Sequence, residues 1–173
     1  MTEKKKKIIS AALEMFSENG YKGTATNQIA KKAKVSEGLI FRHFKNKEGL
    51  LEGVLGECEK NISKIFDPLN DLKHPKVLLK NIISIPFNTG KENITYCKLL
   101  NKLKWEVGLE VKSIFEPIKK KVEDVFELMK YEDPRSEAET LLLILEGVMS
   151  KVILTKFESK LIVLDNLIKK YNV

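Results

Sequence analysis

TATNQIAKKAKVSEGLIFRHFKNKEGLL, residues 24–51, is the stretch whose reading decides the fold. It holds two short helical patterns separated by a tight turn around Lys34, and a third pattern that opens after Asn46. In the first, Ile29, Ala30 and Ala33 supply a buried side, and either Thr24 or Thr26 can cap the start. The second follows Ser36, a favoured N-cap residue, with Glu37 at the positive end of the helix dipole. Val35, Ile40 and Phe44 pack inward in this reading, which leaves Glu37, Gly38, Leu39, Phe41, Arg42 and His43 outside. Two short helices with cations on their exposed positions suit an element pressed into a groove of DNA.

The charge distribution points the same way. Residues 1–50 carry eleven Lys and Arg against five Glu, a net +6 of the whole chain's +7. A basic surface displaces condensed counterions from a polyanion and so gives affinity without sequence preference. Charge alone favours nucleic acid only mildly, since lysine-rich solvated surfaces are common; it counts for more beside the paired helices.

Working outward, 3.6-residue periodicity runs through the chain and strand signals are nearly absent. The expected fold class is all-α: a three-helix helix-turn-helix domain over residues 1–46, then a helical bundle over 47–173, about nine helices in total. Helix one is expected over Lys4–Asn19, with Ile8, Ile9, Ala12, Leu13 and Phe16 on one face. It stops at Gly20, which lets Tyr21 fold back on Phe16. The fourth helix carries Leu50, Leu51, Val54, Leu55, Cys58, Ile62, Ile65 and Phe66, with Gly49, Gly53 and Gly56 as sites of close packing or of mere tolerance. A helix from Pro75 is expected to end near Ile85, stopped by Pro86, and Pro117 must break, kink or begin the next but one. Ser136 with Glu139 forms a capping box for a helix that reaches about Thr155.

The last two helices are apolar around their full circumference, with LLLIL at 141–145 and LIVL at 161–164. Such helices need cover on more than one side, and a second subunit is the simplest cover. The expected homodimer interface contains Leu143, Ile144, Gly147, Leu154, Leu161, Leu164 and Ile168, joined as a four-helix bundle.

Several classes fall away. Hydrophobic content of 43% argues against general disorder. No apolar run reaches the roughly 18 residues of a membrane span. MTEKKKK followed by IISAALEMF reads as an amphipathic helix rather than a leader, for want of a small-residue cleavage site. Cys58 and Cys97 fit a reducing, cytoplasmic setting. His43 and His74 are not spaced for a metal, and there is no glycine-rich phosphate loop or nucleophile elbow, so neither an enzyme nor a bound cofactor is expected.

Gly20-Tyr21, Thr24, Ile29-Ala30, Ala33, Val35-Ser36, Gly38, Phe44, Lys47-Glu48 and Leu50-Leu51 together resemble the TetR family of transcriptional regulators, over roughly residues 5–55. The resemblance implies a dimeric repressor whose C-terminal region binds a small molecule that releases double-stranded DNA at a palindromic operator. It implies that Thr24, Thr26 and Asn27 face a phosphate or base edge, and that Ser36, Glu37, Gly38 and Leu39 open the reading helix in the major groove. Phe41, Arg42 and His43 lie along the groove wall, and Lys47 holds a phosphate. Physics allows each role: helix N-termini attract phosphate, Leu39 can meet a thymine methyl, and Arg42 can read guanine or grip a phosphate. Lys4–Lys7 either touch the DNA backbone or solvate the N-terminus. The chain departs from the family pattern at Lys34, where glycine is common, and at Glu37, Leu39 and Phe41.

An effector of apolar or aromatic character is expected among Phe66, Phe87, Tyr96, Cys97, Asn101, Trp105, Phe115 and Met129, with the single tryptophan as its focus. Plain core is the competing account for each of them. An all-helical carrier or enzyme for a hydrophobic molecule, and a protein that coats DNA without specificity, stand as alternatives.

Overall fold

Apolar residues spaced by three and four produce nine helices and no strand among residues 1–66, 74–109 and 112–173, which the computed structural model describes. In chain order they are α1 (Glu3–Asn19), α2 (Thr26–Ala33), α3 (Glu37–Phe44), α4 (Lys47–Phe66), α5 (Pro75–Asn88), α6 (Lys91–Val107), α7 (Lys112–Leu128), α8 (Pro134–Leu154) and α9 (Lys160–Tyr171). The fold is all-α, as expected. Two compact units form, one joining Met1–Ile62 with Lys91–Glu110, the other Ser63–Gly90 with Val111–Val173. The boundary expected after residue 46 therefore falls inside the first unit. Leu50, Val54 and Cys58 of α4, and Tyr96, Leu99 and Leu103 of α6, are buried in the same core as α1, α2 and α3.

That core is organised on α1. Ile8, Ala12 and Phe16 are completely buried, as are Ile29 of α2 and Ile40 of α3. Each large side chain so removed from water stabilises the unit by about 1.5–3 kcal/mol. Thr2 caps α1, its hydroxyl accepting the Lys5 N–H at 3.3 Å. Gly20 ends it with φ +80°, its N–H donating to the Phe16 carbonyl at 3.0 Å, and the Tyr21 ring meets Phe16 edge-on with centroids 5.4 Å apart. The fold-back expected from the sequence is present. In α4, Gly53 lies under Phe44, where an added Cβ would come within 2.8 Å of the ring. Close packing thus accounts for Gly53, while nothing lies within 4 Å of a Cβ at Gly56.

The cap of α2 is neither threonine. Ala25 holds the N-cap position, and its N–H donates to the Gln28 side-chain oxygen at 3.0 Å. Lys34 ends α2 in the left-handed conformation, φ 54° and ψ 48°. Lys34 N–H reaches the Lys31 carbonyl at 3.2 Å and Val35 N–H reaches Ala30 at 3.0 Å, the paired bonds of a left-handed helix end. A lysine stands there at the steric cost that glycine would avoid. Ser36 occupies the N-cap of α3 with extended backbone but makes no capping bond with its side chain.

In the second unit α5 packs on α7, α8 and α9, and α7 on α8. Leu79 and Ile83 of α5, Val122, Val125 and Phe126 of α7, and Leu141 of α8 are fully buried. Phe126 gathers Tyr131 and Tyr171 around it, with centroids 4.8 and 5.6 Å away. Two expectations are corrected here and a third is narrowed. Helix α5 continues through Pro86 to Asn88, because burial of Pro86 and Phe87 outweighs the loss of one N–H near the helix end. Pro117 lies within a continuous α7, so of the three options it neither breaks nor begins a helix. Helix α8 starts earlier than Ser136: Asp133 is its cap, accepting the Ser136 N–H at 3.1 Å, with Pro134 in the first turn. That bond holds the Asp133 carboxyl below its usual range.

Replacing Lys34 by Gly removes the left-handed penalty while keeping both turn bonds. It should raise stability by roughly 0.5–1 kcal/mol. A higher urea midpoint with an unchanged denaturant slope is the expected result.

Candidate nucleic-acid interface

Helix α3 has eight residues, and its position is set by Ile40 and Phe44, both buried against α1, α2 and α4. Gly38, Phe41 and Arg42 consequently face solvent, and Phe41 is 43% exposed. Among the described residues Arg42 is bound in no hydrogen bond or ion pair, so its guanidinium is available. His43 is half-buried, its ring tilted edge-on to Phe44 at 6.1 Å. Leu39, expected on the outside, is half-buried and packs on the head core. Its exposed half still borders Gly38, where nothing lies within 4 Å of an added Cβ.

The N-termini of α2 and α3 are latched together. The Thr26 hydroxyl donates to Glu37 Oε1 at 2.6 Å in a partly buried setting. Glu37 is thus engaged by the protein at one oxygen, and Asn27 and Ser36 lie exposed on either side. Thr24 is different. It is 1% exposed, and its hydroxyl is turned to the Gly20 carbonyl at 2.7 Å and that of Met15 at 3.2 Å. The expected contact of Thr24 with a phosphate is therefore corrected: this side chain closes the turn after α1 from inside.

At the start of α4 the Asn46 side chain accepts the Gly49 N–H at 2.8 Å, as the sequence suggests for a cap. Lys47 lies over the Tyr21 ring, its ammonium 4.4 Å from the centroid, while the Tyr21 hydroxyl donates to Glu48 Oε1 at 3.1 Å. A cation over an aromatic face is held in place without being neutralised. Lys5 rests similarly over Phe44 at 5.3 Å. Burial first, and then the Glu48 carboxylate, push the Tyr21 phenol up to about 12.

Some of these partners have no local sequence signal. Glu106 Oε2 accepts the Lys22 N–H at 3.2 Å, and Lys102 donates to the Glu18 carbonyl, each across 84 residues. Lys45, left-handed at φ 68° directly after α3, is equally hidden in the sequence.

The residues expected around an effector divide between the two units. Tyr96, Cys97, Asn101 and Trp105 belong to the first unit, Phe87, Phe115 and Met129 to the second; the Phe66 side chain lies outside the described residues. Trp105 is 79% exposed. The buried face of α6 carries Tyr96, Leu99 and Leu103, and two residues beyond Leu103 is the opposite side of the helix. Phe115, in the first turn of α7, is also exposed. A cleft of about 390 Å³ between α1, α4 and α6 is lined by Lys6, Ile9, Glu14, Glu57, Thr95 and Tyr96 among others, and of the eight expected residues it takes only Tyr96. Asn61 donates to the Tyr96 hydroxyl at 3.0 Å. Burial pushes the Cys58 thiol up to about 12 and raises that of Cys97, so both resist forming the reactive thiolate. Among the described residues no group of His, Cys, Asp and Glu is arranged for a metal, and no helix is long and apolar enough to cross a membrane.

Residues 8–54, which build this cationic head, match the sequence model of the bacterial regulatory proteins, tetR family. The likeness to that family in sequence rests on these 47 of the chain's 173 residues. Among its relatives is the uncharacterized HTH-type transcriptional regulator YvkB of Bacillus subtilis, 40% identical over 94 residues, 47% of this chain and 50% of that protein. Another is the HTH-type transcriptional regulator HbdR of an Aromatoleum species, 42% identical over 77 residues, 42% of this chain and 32% of HbdR. The matched region thus spans half or less of the length of these curated relatives. Likeness in fold to solved regulators extends over the whole chain. A putative regulator from Saccharomonospora viridis in complex with choline superposes with TM-score 0.83 at 15% identity, covering 99% of this chain and 96% of that one. AibR, in complex with isovaleryl coenzyme A and operator DNA, gives 0.77 at 15% identity, with 97% of each chain covered.

Tyr21→Phe keeps the ring under Lys47 but deletes the bond to Glu48, and should cost about 0.5 kcal/mol for a partly exposed pair. The folded phenol titrates above its unfolded value. Its contribution is therefore whole below pH 10 and is lost as pH rises toward 12. Urea melts of both proteins at pH 8 and at pH 11 should show the difference shrink at the higher pH.

Proposed function

We propose that this chain is a DNA-binding transcriptional regulator that acts in the cytoplasm as a homodimer on an inverted-repeat operator and is released by a small effector. The observation that carries the reading is the exposed face of α3, with Arg42 unengaged and Lys47 poised over Tyr21 at the start of α4, within residues 1–50 that hold +6 of the chain's +7. Arg42 reads a guanine edge or grips a phosphate, and Lys47, Asn27 and the exposed Lys4 and Lys6 engage the sugar-phosphate backbone. Phe41, Gly38 and the free half of Leu39 offer an apolar surface to thymine methyls. Glu37, latched to Thr26, sets the spacing of the two helix N-termini and offers its second oxygen to a cytosine amine.

A repeat operator requires two heads. The face of α8 and α9 that would join two copies carries Leu143, Leu154, Leu161 and Ile162, all at least 63% exposed, with Gly147 opening onto free space between them. Ile144, Leu164 and Ile168 of the same two helices are half-buried. Exposed apolar side chains of this kind suit self-association by a two-fold axis. Two heads so joined read half-sites about one DNA turn apart, ~34 Å. Choline, isovaleryl coenzyme A and operator DNA appear in the complexes of structural neighbours, which supports an architecture able to serve both a small molecule and a duplex. A small apolar or aromatic effector releases the operator to the extent that it prefers the unbound shape.

Genomic fragments captured by the protein should contain an inverted repeat. On such a fragment Arg42→Ala should weaken specific binding by about 1–3 kcal/mol and nonspecific binding less. Lys47→Ala should weaken both alike and reduce the salt slope by about one. Equal, negligible losses in an anisotropy titration would overturn this docking. Salt-insensitive indifference to every duplex would favour a helical carrier, and uniform coating of any sequence would favour a nonspecific protein.

Leu143→Asp combined with Leu161→Asp should convert the dimer to a monomer in sedimentation equilibrium while leaving helix content unchanged. Operator affinity should fall about 100-fold or more, because the second half-site is no longer held at high local concentration.

A further inference from the structure

We propose that Glu106 is a positioning residue for DNA binding, acting through the turn between α1 and α2; this rests on the head's reading as the DNA-binding element. Helix α6 is fixed in the head core by Tyr96, Leu99 and Leu103. From its last turns, Lys102 and Glu106, four residues apart and so on one side of the helix, reach the same short segment. Lys102 donates to the Glu18 carbonyl, and Glu106 accepts the Lys22 N–H. Between these two points lies Gly20, and a Cβ built on it would overlap Glu106 Oε1. The glycine thus does more than end α1. It lets a carboxylate lie directly on the backbone of the turn.

What the turn carries makes this grip consequential. Tyr21, inside the gripped segment, supports the Lys47 ammonium and bonds Glu48 at the start of α4. Thr24, two residues past Lys22, is tied back to Gly20 and Tyr21 at 2.7 and 3.3 Å and leads straight into Ala25, the cap of α2. Both phosphate-facing parts of the head, the α2 start and Lys47, therefore take their position from a segment held by α6. Without Glu106 the Lys22 amide has only water, and the segment is free to shift with Tyr21 and Lys47 on it.

The test uses the full chain as Glu106→Ala, Glu106→Gln and Lys102→Met, with amide hydrogen exchange and anisotropy of a labelled duplex selected by the wild-type protein. Glu106→Ala should bind the duplex about tenfold more weakly, and Glu106→Gln, which keeps an acceptor oxygen, should recover most of the loss. Exchange should quicken at Lys22 in Glu106→Ala while the amides of Ile29 and Phe44 keep their protection, a split that general destabilisation would not produce. If Glu106→Ala does not fold, Glu106→Gln and Lys102→Met decide: Lys102→Met should weaken binding, and Glu106→Gln should bind nearly as the wild type. Wild-type affinity in both Glu106→Ala and Lys102→Met, or unchanged exchange at Lys22, overturns the proposal. A wild-type chain that bound no duplex would overturn the DNA-binding reading instead, and exchange at Lys22 would still judge the grip.

Discussion

An eight-residue helix does not hold itself together in water, and α3 depends wholly on what Ile40 and Phe44 bury. Phe44 is the more demanding of the two. Its ring fits against α4 only because residue 53 has no side chain, and Lys5 and His43 close over it. The rotation of α3 about its own axis is fixed by this seat. Arg42, Phe41 and Gly38 are outside because Ile40 and Phe44 are inside, so the exposed chemistry is a consequence of core packing two to four residues away.

The head also concentrates like charge, which opposes folding and favours a polyanion partner. Ion pairs do little to relieve that repulsion. Lys7 meets Glu3 within α1 and Lys32 of α2 meets Glu14, but both pairs are open to solvent, where such contacts contribute at most about 1 kcal/mol. Lys47 and Lys5 are placed by aromatic faces instead, which orient a cation and leave its charge intact. Buried apolar area offsets the repulsion, and the cations remain available.

Much of this is legible in the sequence. Ile8, Phe16, Ile29, Ile40 and Phe44 declare themselves by spacing, and the Gly20-Tyr21 fold-back follows from a glycine after a helix with an aromatic on each side. The misses share a cause. Thr24 looks like a cap because capping is a local property, whereas its burial depends on Met15 and Gly20 closing around it. Trp105 looks like a pocket wall because tryptophan is usually inside, whereas its place on α6 is settled by which face Leu99 and Leu103 commit to the core. Pro86 looks like a stop because it lacks an N–H, but helix termination is decided by packing when only one bond is at stake. The grip of Glu106 and Lys102 spans 84 residues and leaves no pattern in either segment.

The same long-range packing changes the extent of the head. By motif, it is three helices ending near residue 46. By burial, it continues through Leu50, Val54 and Cys58 of α4 and is completed by Tyr96, Leu99 and Leu103 from α6. Cutting after residue 46 would expose the faces of Ile8, Ala12 and Phe16 that these six side chains cover, at about 1.5–3 kcal/mol for each large apolar side chain returned to water. That sum is comparable to the whole net stability of a small domain, about 5 kcal/mol at its lower end. A head that borrows its core from two later helices cannot be indifferent to them: any event that moves α6 acts on the same apolar packing that seats α3, whether or not it touches the exposed face of α3.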